Sequence, residues 1–428
     1  MNWVTRYRLK LYIRNSIWIF PVLSIAAALL SVALLNRIEL ALGWKMSLSP
    51  DTARAVMGTI AGSLFTLVVV ASSAILVVVQ LASAQLTPRL ITLVYRNSIR
   101  KFSISLFVFT FTFSVAVLVR IDNEVPLLTV YIAAYGFLLN LAFFVFFIDD
   151  MGKTLRPSAV VRTVALAGRE VIRGVYPQHV GAEQVHFTNS IMNWNGQQHR
   201  VVLNKSDGVI LAFDRKGLVA LAVSSNCVIE LVPEIGDFVA AGTPLFRIYE
   251  GGDDLTEDGL RRLVTLGQER TLEQDPMFAF RIIVDIASKA LSPAINDPTT
   301  AVLAVDQLQH LLRDVGNRHL SDGREFDTRG HLRLIYRTAN WEDFVRLSLT
   351  EIRHYGRDSV QVIRRLRAML DNLIQTLPEH RAPLLRQELR LLGLSARRIF
   401  VDADDQILAD TGDLQGMGGG PTELQGVP

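Results

Sequence analysis

Residues 55–82 read AVMGTIAGSLFTLVVVASSAILVVVQLA, a run without one charged side chain. Crossing a hydrocarbon layer of about 30 Å takes roughly 20 apolar residues in a helix, because only a helix satisfies every backbone N–H and C=O internally. The run is long enough, so the sequence around it has to be read against lipid rather than water. Three more stretches qualify, at 16–35, 102–119 and 125–148. The first is read as an anchor, since a cleaved signal peptide has a shorter apolar core and a small-residue cleavage site. Only Arg120, Ile121, Asp122, Asn123 and Glu124 separate the last two, which form a tight helical hairpin.

Half of the 428 residues are hydrophobic and 20% are charged. The long uncharged runs lie before residue 150 and most of the charge lies after it. The fold class expected is therefore an all-α membrane region of four transmembrane helices (1–150) followed by a cytoplasmic α+β region. Lys and Arg in short flanking segments set orientation. Arg6, Arg8, Lys10 and Arg14 precede the first span, Arg89, Arg96, Arg100 and Lys101 join the second to the third, and Lys153, Arg156 and Arg162 follow the fourth. The opposite side receives Arg37, Lys45, Arg54 and Arg120, offset by Glu39, Asp51, Asp122 and Glu124. Both termini are placed in the cytoplasm, in a bacterial inner (plasma) membrane, with membrane lipid as the immediate partner.

The run 55–82 carries a further pattern. Gly58 and Gly62 make a small-xxx-small pair, which lets a second helix approach closely. Thr59, Ser63, Thr66, Val70, Ser73, Val77, Gln80 and Ala84 follow alternating steps of four and three, a single stripe on a helix. Polar groups at membrane depth need partners or water. Two readings stand: the side chains bond to neighbouring helices, or the stripe lines a hydrated path for an ion or small solute at the axis of a homo-oligomer. No carboxylate lies mid-span, which argues against a proton relay of buried acids. Arg89, Asp149 and Asp150 are expected at the cytoplasmic interface, as a pair or as headgroup anchors.

After residue 150 the period changes. A connector helix is expected over 151–177. Short β-rich runs (HRVVLN, GVILAF, GLVALAV after the turn signal at Asp214, CVIELV and FRIY) within 178–252 read as the strands of a small β barrel or sandwich. Within it, residues 235–246, IGDFVAAGTPLF, resemble the hairpin of biotinyl, lipoyl and membrane-fusion-protein domains. The modifiable lysine of carrier domains is missing from the following Arg247-Ile248-Tyr249-Glu250-Gly251-Gly252, so the module is read as structural and no cofactor is expected. Helices are expected over 253–410, the first at 255–266 and the next opening at Asp275-Pro276. Then comes Ser292-Pro293-Ala294-Ile295-Asn296-Asp297-Pro298, an elbow in which Asp297 caps the following helix with Pro298 in its first turn. Asn296 and Asp297 serve either that turn alone or, at an exposed helix N-terminus, an ion or polar ligand. Arg364, Arg365 and Arg367 read as a solvated face, or one that touches anionic lipid or a partner. A disordered tail is expected over 411–428.

Several activities find no support. The net charge is only +3 and no basic stripe with interleaved aromatics appears, which argues against nucleic acid. Cys227 is the single cysteine, so neither an internal disulfide nor a thiolate cluster can form. The eight histidines include no metal-ligand spacing, and phosphate-loop and nucleophile-elbow motifs are missing. No metal site is expected and the chain is not expected to be an enzyme.

Two groups of motifs resemble one family, the bacterial membrane proteins grouped as DUF2254. The first is Ala53-Arg54-Ala55 leading into Thr59-Ile60-Ala61-Gly62-Ser63, with Gln80-Leu81-Ala82-Ser83-Ala84-Gln85-Leu86-Thr87-Pro88-Arg89. The second is Asp285-Ile286-Ala287 with Ala290-Leu291-Ser292-Pro293-Ala294-Ile295-Asn296-Asp297-Pro298-Thr299-Thr300-Ala301. The resemblance implies four membrane helices followed by a soluble domain, and no activity. Leu86-Thr87-Pro88-Arg89 stands where the family pattern has phenylalanine and serine before Pro-Arg; the hydroxyl is kept. The stripe and the glycine pair lead to a homo-oligomeric channel or transport-type protein with a cytoplasmic regulatory domain. The alternative is a non-conducting sensor or scaffold that recruits a cytoplasmic partner.

Overall fold

A computed structural model describes residues 3–42, 48–91, 96–122, 125–154, 156–181 and 199–418. Expectations for the start of the β region, for Lys45, Asn123, Glu124 and His186, and for the tail past residue 418 lie outside the described residues. The chain forms two compact units, Leu9–Ala159 and Met1–Arg8 with Val160–Pro428.

Helix α1 (Trp3–Asn15) is divided between the two units at Arg8 and Leu9, and α2 (Ile19–Leu42), α3 (Pro50–Gln85), α4 (Ser98–Leu118) and α5 (Leu127–Thr154) belong to the first. Helices α2 to α5 are each long and apolar enough to cross a membrane. Ser49 starts α3 by accepting the Thr52 N–H, with Pro50 at the first helical position. The helix is longer than the apolar run, because Asp51, Thr52, Ser83 and Gln85 continue its backbone bonding past the hydrocarbon-compatible residues. Its 36 residues extend roughly 54 Å at 1.5 Å each. Helix α4 is central and packs on α2, α3 and α5. Met57, Leu64, Phe113 and Val117 form one core cluster, and Ala71, Ile75, Phe107 and Phe147 form another.

The second unit opens with α6 (Pro157–Val175), whose Val161, Val164, Gly168 and Ile172 are buried. A Cβ at Gly168 would sit 2.6 Å from the Ala279 Cβ, so a bare backbone is what lets α6 lie against the helix that carries Ala279. Two sheets follow. One has the order β1-β5-β3-β8-β7 and joins Arg200–Leu203, Pro244–Tyr249, Val228–Leu231, Leu332–Tyr336 and Arg324–Phe326. The other, β4-β2-β6, joins Phe238–Val239, Gly208–Phe213 and Val264–Gly267. Val202, Ile210, Ile229, Phe246, Ile248 and Leu334 share one core.

The β region therefore does not close at residue 252, since β6, β7 and β8 come from beyond it and β3 pairs with β8 in parallel. The segment resembling a carrier hairpin runs from one sheet to the other, its turns made by Gly236 (φ 91°) and Gly242 (φ 82°). Two local expectations are corrected. The run after Asp214 is α7 (Arg215–Ser224) and not a strand, because the Asp214 carboxylate accepts the Gly217 N–H and nucleates a helix. The helix expected over 255–266 is only α8 (Glu257–Arg261), after which Val264, Thr265 and Leu266 join β2.

Helices α9 (Pro276–Ala290), α10 (Pro298–Gly316), α11 (Trp341–Tyr355), α12 (Val360–Thr376), α13 (Ala382–Ile399) and α14 (Ala403–Ala409) complete the unit. Asp275 caps α9, Asp297 caps α10, and Asn340 with Asp343 forms a reciprocal capping box on α11. The arginines of α12 are not a solvated face. Arg364 is fully buried and donates to the Thr411 carbonyl, and Arg365 binds Asp306 at 2.6 Å and Gln309 at 2.6 Å. Residues 411–418, expected to be disordered, are docked: Asp413 accepts N–H groups of Gln415, Gly416 and Gly418, and Gln361 donates to the Gly416 carbonyl.

Candidate functional site

Helix α3 has two unlike faces. Ala53, Met57, Ile60, Leu64, Ala71, Ile75 and Val78 are buried against the chain's own bundle. Thr59, Thr66, Ser73 and Gln80 point away from it and are exposed, and Ser63 is half-buried. Gly58 and Gly62 share that outer side, and a Cβ built on either would meet nothing within 4 Å. The stripe is thus coherent and, Ser63 apart, uncovered by the other described residues. Its hydroxyls do not reach neighbouring helices: Thr59 donates to the Ala55 carbonyl at 2.9 Å, Ser63 to Thr59 at 2.8 Å and Thr66 to Gly62 at 3.1 Å. Such back-bonding satisfies each donor and leaves hydroxyl lone pairs facing outward.

The interior of the bundle holds a second polar series, which period-based reading passed over. Ser103, Thr110 and Ser114 of α4 are buried. Asn140 of α5 is fully buried and donates to the Thr110 hydroxyl at 2.8 Å and the Gly136 carbonyl at 2.7 Å. The Asn140 carbonyl oxygen and the Ser103 and Ser114 hydroxyl oxygens have no hydrogen-bond partner among the described residues. The signal available in the sequence was the 103/110/114 spacing together with one asparagine inside an apolar span.

Charges fasten both ends of the bundle. At one end Arg100, almost fully buried, contacts Asp150 at 3.2 Å and the Thr154 hydroxyl, while Lys101 donates to the Arg14 carbonyl at 2.6 Å. Lys153 pairs with Asp149. The carboxylates assigned to the interface are therefore engaged by Arg100 and Lys153, and Arg89 sits in the 3₁₀ turn Pro88–Leu90 opened by Thr87. At the other end Arg54 donates twice to the Ile121 carbonyl and Glu39 accepts the Leu128 N–H at 2.9 Å, capping the first turn of α5.

In the second unit the elbow between α9 and α10 is a tight turn. Ser292 donates to the Lys289 carbonyl, Asn296 has a φ of 48°, and the Asp297 N–H reaches the Ala290 carbonyl at 2.7 Å. Asp297 Oδ1 accepts the Thr300 N–H at 3.0 Å and Oδ2 accepts the Thr300 hydroxyl at 2.5 Å. Both carboxylate oxygens serve the cap, and Pro298 supplies the first helical residue. The geometry favours a structural elbow over an ion site. Pro293, Ala294, Ile295 and Asn296 stand exposed at its tip. Among the described residues no group of three or more His, Cys, Asp or Glu is arranged to hold a metal ion.

A family model described as "Predicted membrane protein (DUF2254)" matches residues 14–372. An uncharacterized protein of Mycobacterium bovis is 25% identical over 416 residues, which span 93% of this chain and 79% of that protein. An uncharacterized protein of Mycobacterium tuberculosis H37Rv aligns with the same identity and coverage. One from the CDC 1551 strain is 24% identical over the same lengths. No solved structure matches the chain.

Proposed function

From the premise that this chain belongs to the DUF2254 family of predicted membrane proteins, we propose that it is a homo-oligomeric channel or transport-type protein of a bacterial inner membrane. In this reading α3 helices of several copies face a shared axis, both termini are cytoplasmic, and the second unit regulates passage of an ion or small solute. The observation that carries it is the outer face of α3, where a polar stripe and two glycines one turn apart lie together and, Ser63 apart, stand exposed among the described residues. Lipid is a poor partner for such a face. A neighbouring α3 could use Gly58 and Gly62 for close approach, and water along an axis could solvate Thr66, Ser73 and Gln80.

The test is flux through purified protein in proteoliposomes. Ser73→Leu and Gln80→Leu should lower or alter flux at least several-fold in protein that still assembles. Liposomes that stay silent across cations, anions and small neutral solutes would sink the reading. Orientation is tested apart from transport: cysteines at the exposed Asp122 and Asp253, in a Cys227→Ala background, should label from opposite sides of the membrane.

One observation favours a second reading. The elbow tip exposes Ile295 beside Pro293 in a rigid turn, a surface suited to recruiting a cytoplasmic partner without conduction. A stoichiometric partner whose capture depends on the region after Asp253 would favour that sensor or scaffold role.

A further inference from the structure

The second unit contains a cavity of about 510 Å³, lined by Arg169, His179, His310, Arg313, Asp314 and Arg318, with Val180, Asn317 and Pro378. Its size falls in the range of small-molecule sites. Its walls come from α6, from the segment just after it, and from the last turn of α10. These are stitched together: Val180 N–H reaches the Asn317 carbonyl at 3.0 Å, His319 N–H reaches the Gln178 carbonyl at 2.9 Å, and Arg318 donates to the Tyr176 carbonyl at 2.6 Å. The cavity is therefore held open by backbone bonds before any ligand arrives.

The charges do not balance. Three guanidinium groups face one carboxylate, and Asp314 is already paired with Arg169 at 2.5 Å and 3.4 Å. The negative end of the α10 dipole offsets about half an elementary charge. More than one positive charge is left over. Two donors are visibly unspent. Arg318 is 7% exposed and its Nε–H has no hydrogen-bond partner among the described residues, a costly state for a buried charged donor. The Arg313 guanidinium is exposed and makes no hydrogen bond or ion pair among the described residues. His179, His310 and the Asn317 amide add further donor capacity around the same space.

We propose that this cavity binds a phosphomonoester dianion, with the exposed Arg313 guanidinium as its main donor. Planar guanidinium forks match phosphate oxygens, and a dianion would neutralise the excess that the cavity walls leave. The cavity exceeds what inorganic phosphate fills, so the ester carries an organic group, either a soluble metabolite or a lipid headgroup. The proposal rests on the cavity alone and does not depend on the channel reading.

Calorimetric titration of the full-length protein in detergent tests it, using glycerol 3-phosphate, short-chain phosphatidic acid and succinate at low salt. Glycerol 3-phosphate or phosphatidic acid should bind in the micromolar to low millimolar range, and whichever is tighter identifies the source. Arg313→Gln and His310→Gln should weaken binding about tenfold for the arginine and less for the histidine, with the thermal midpoint unchanged. Two results would overturn the proposal: no binding of either phosphoester, or wild-type binding by Arg313→Gln. Succinate binding as tightly as glycerol 3-phosphate would overturn the phosphate assignment as well.

Discussion

Asp297 shows how much one side chain can settle. Both of its oxygens hold the first turn of α10, so Asp297→Ala should cost about 1 kcal/mol of stability by denaturant titration, and Asp297→Asn much less. Cys227 is nearly inaccessible, and burial, reinforced by Asp254 and only partly opposed by Arg333 and Arg200, pushes its thiol up to about 11. Since the thiolate is the reactive form, maleimide at neutral pH should modify Cys227 only when the unit opens. Rapid labelling of native protein would contradict this. At Asp327 burial opposes ionisation, yet the His331 N–H, the Arg333 guanidinium and the Arg329 N–H outweigh it and hold the carboxyl below the usual range. A depressed carboxylate stabilises the fold above the unfolded value near 4, and that contribution is lost as pH falls through the folded value. Amide protection at Gly330 and His331, taken relative to the intrinsic exchange rate at each pH, should fall on acidification below about pH 4, and Asp327→Asn should flatten the dependence.

The elements differ in how openly their sequences declare them. Asp275-Pro276 and Asp297-Pro298 announce helix starts because a cap is a contact within four residues. The parallel pairing of β8 with β3 was not legible, since β3 lies about a hundred residues earlier, although the Asp327–Gly330 turn that joins β7 to β8 is a local signal the reading passed over. The outward stripe of α3 was legible as a stripe. Which way it faces depends on α4 and α5, which the period of α3 cannot encode. Nor could an arginine cluster on α12 reveal that Thr411 and Asp413 would wrap it. Removing the buried Arg364 by Arg364→Ala should destabilise the unit by about 2–3 kcal/mol and free residues 411–418 to proteolysis. Gly62→Leu makes the opposite case. Among the described residues nothing lies within 4 Å of a Cβ at this position, so the thermal midpoint should hold while the mass of the proposed homo-oligomer, read by light scattering, falls.

At the scale of the molecule, hydropathy alone divided the chain near residue 150, because the cost of unpaired backbone in hydrocarbon leaves so few choices. The compact units meet at residues 159 and 160. Each has its own hydrophobic core, so a fragment beginning at Pro157 should be monodisperse without detergent, with the secondary structure of the intact chain by circular dichroism. Aggregation of that fragment would show that the second unit depends on the first. One dimension of the first unit reaches further. An unbroken α3 of 36 residues is much longer than an ordinary bilayer core is thick. In a membrane the uncharged run 55–82 exceeds the hydrocarbon thickness and tilt is one way to take up the excess, so lipid chain length becomes a mechanical input to the helix that carries the polar stripe.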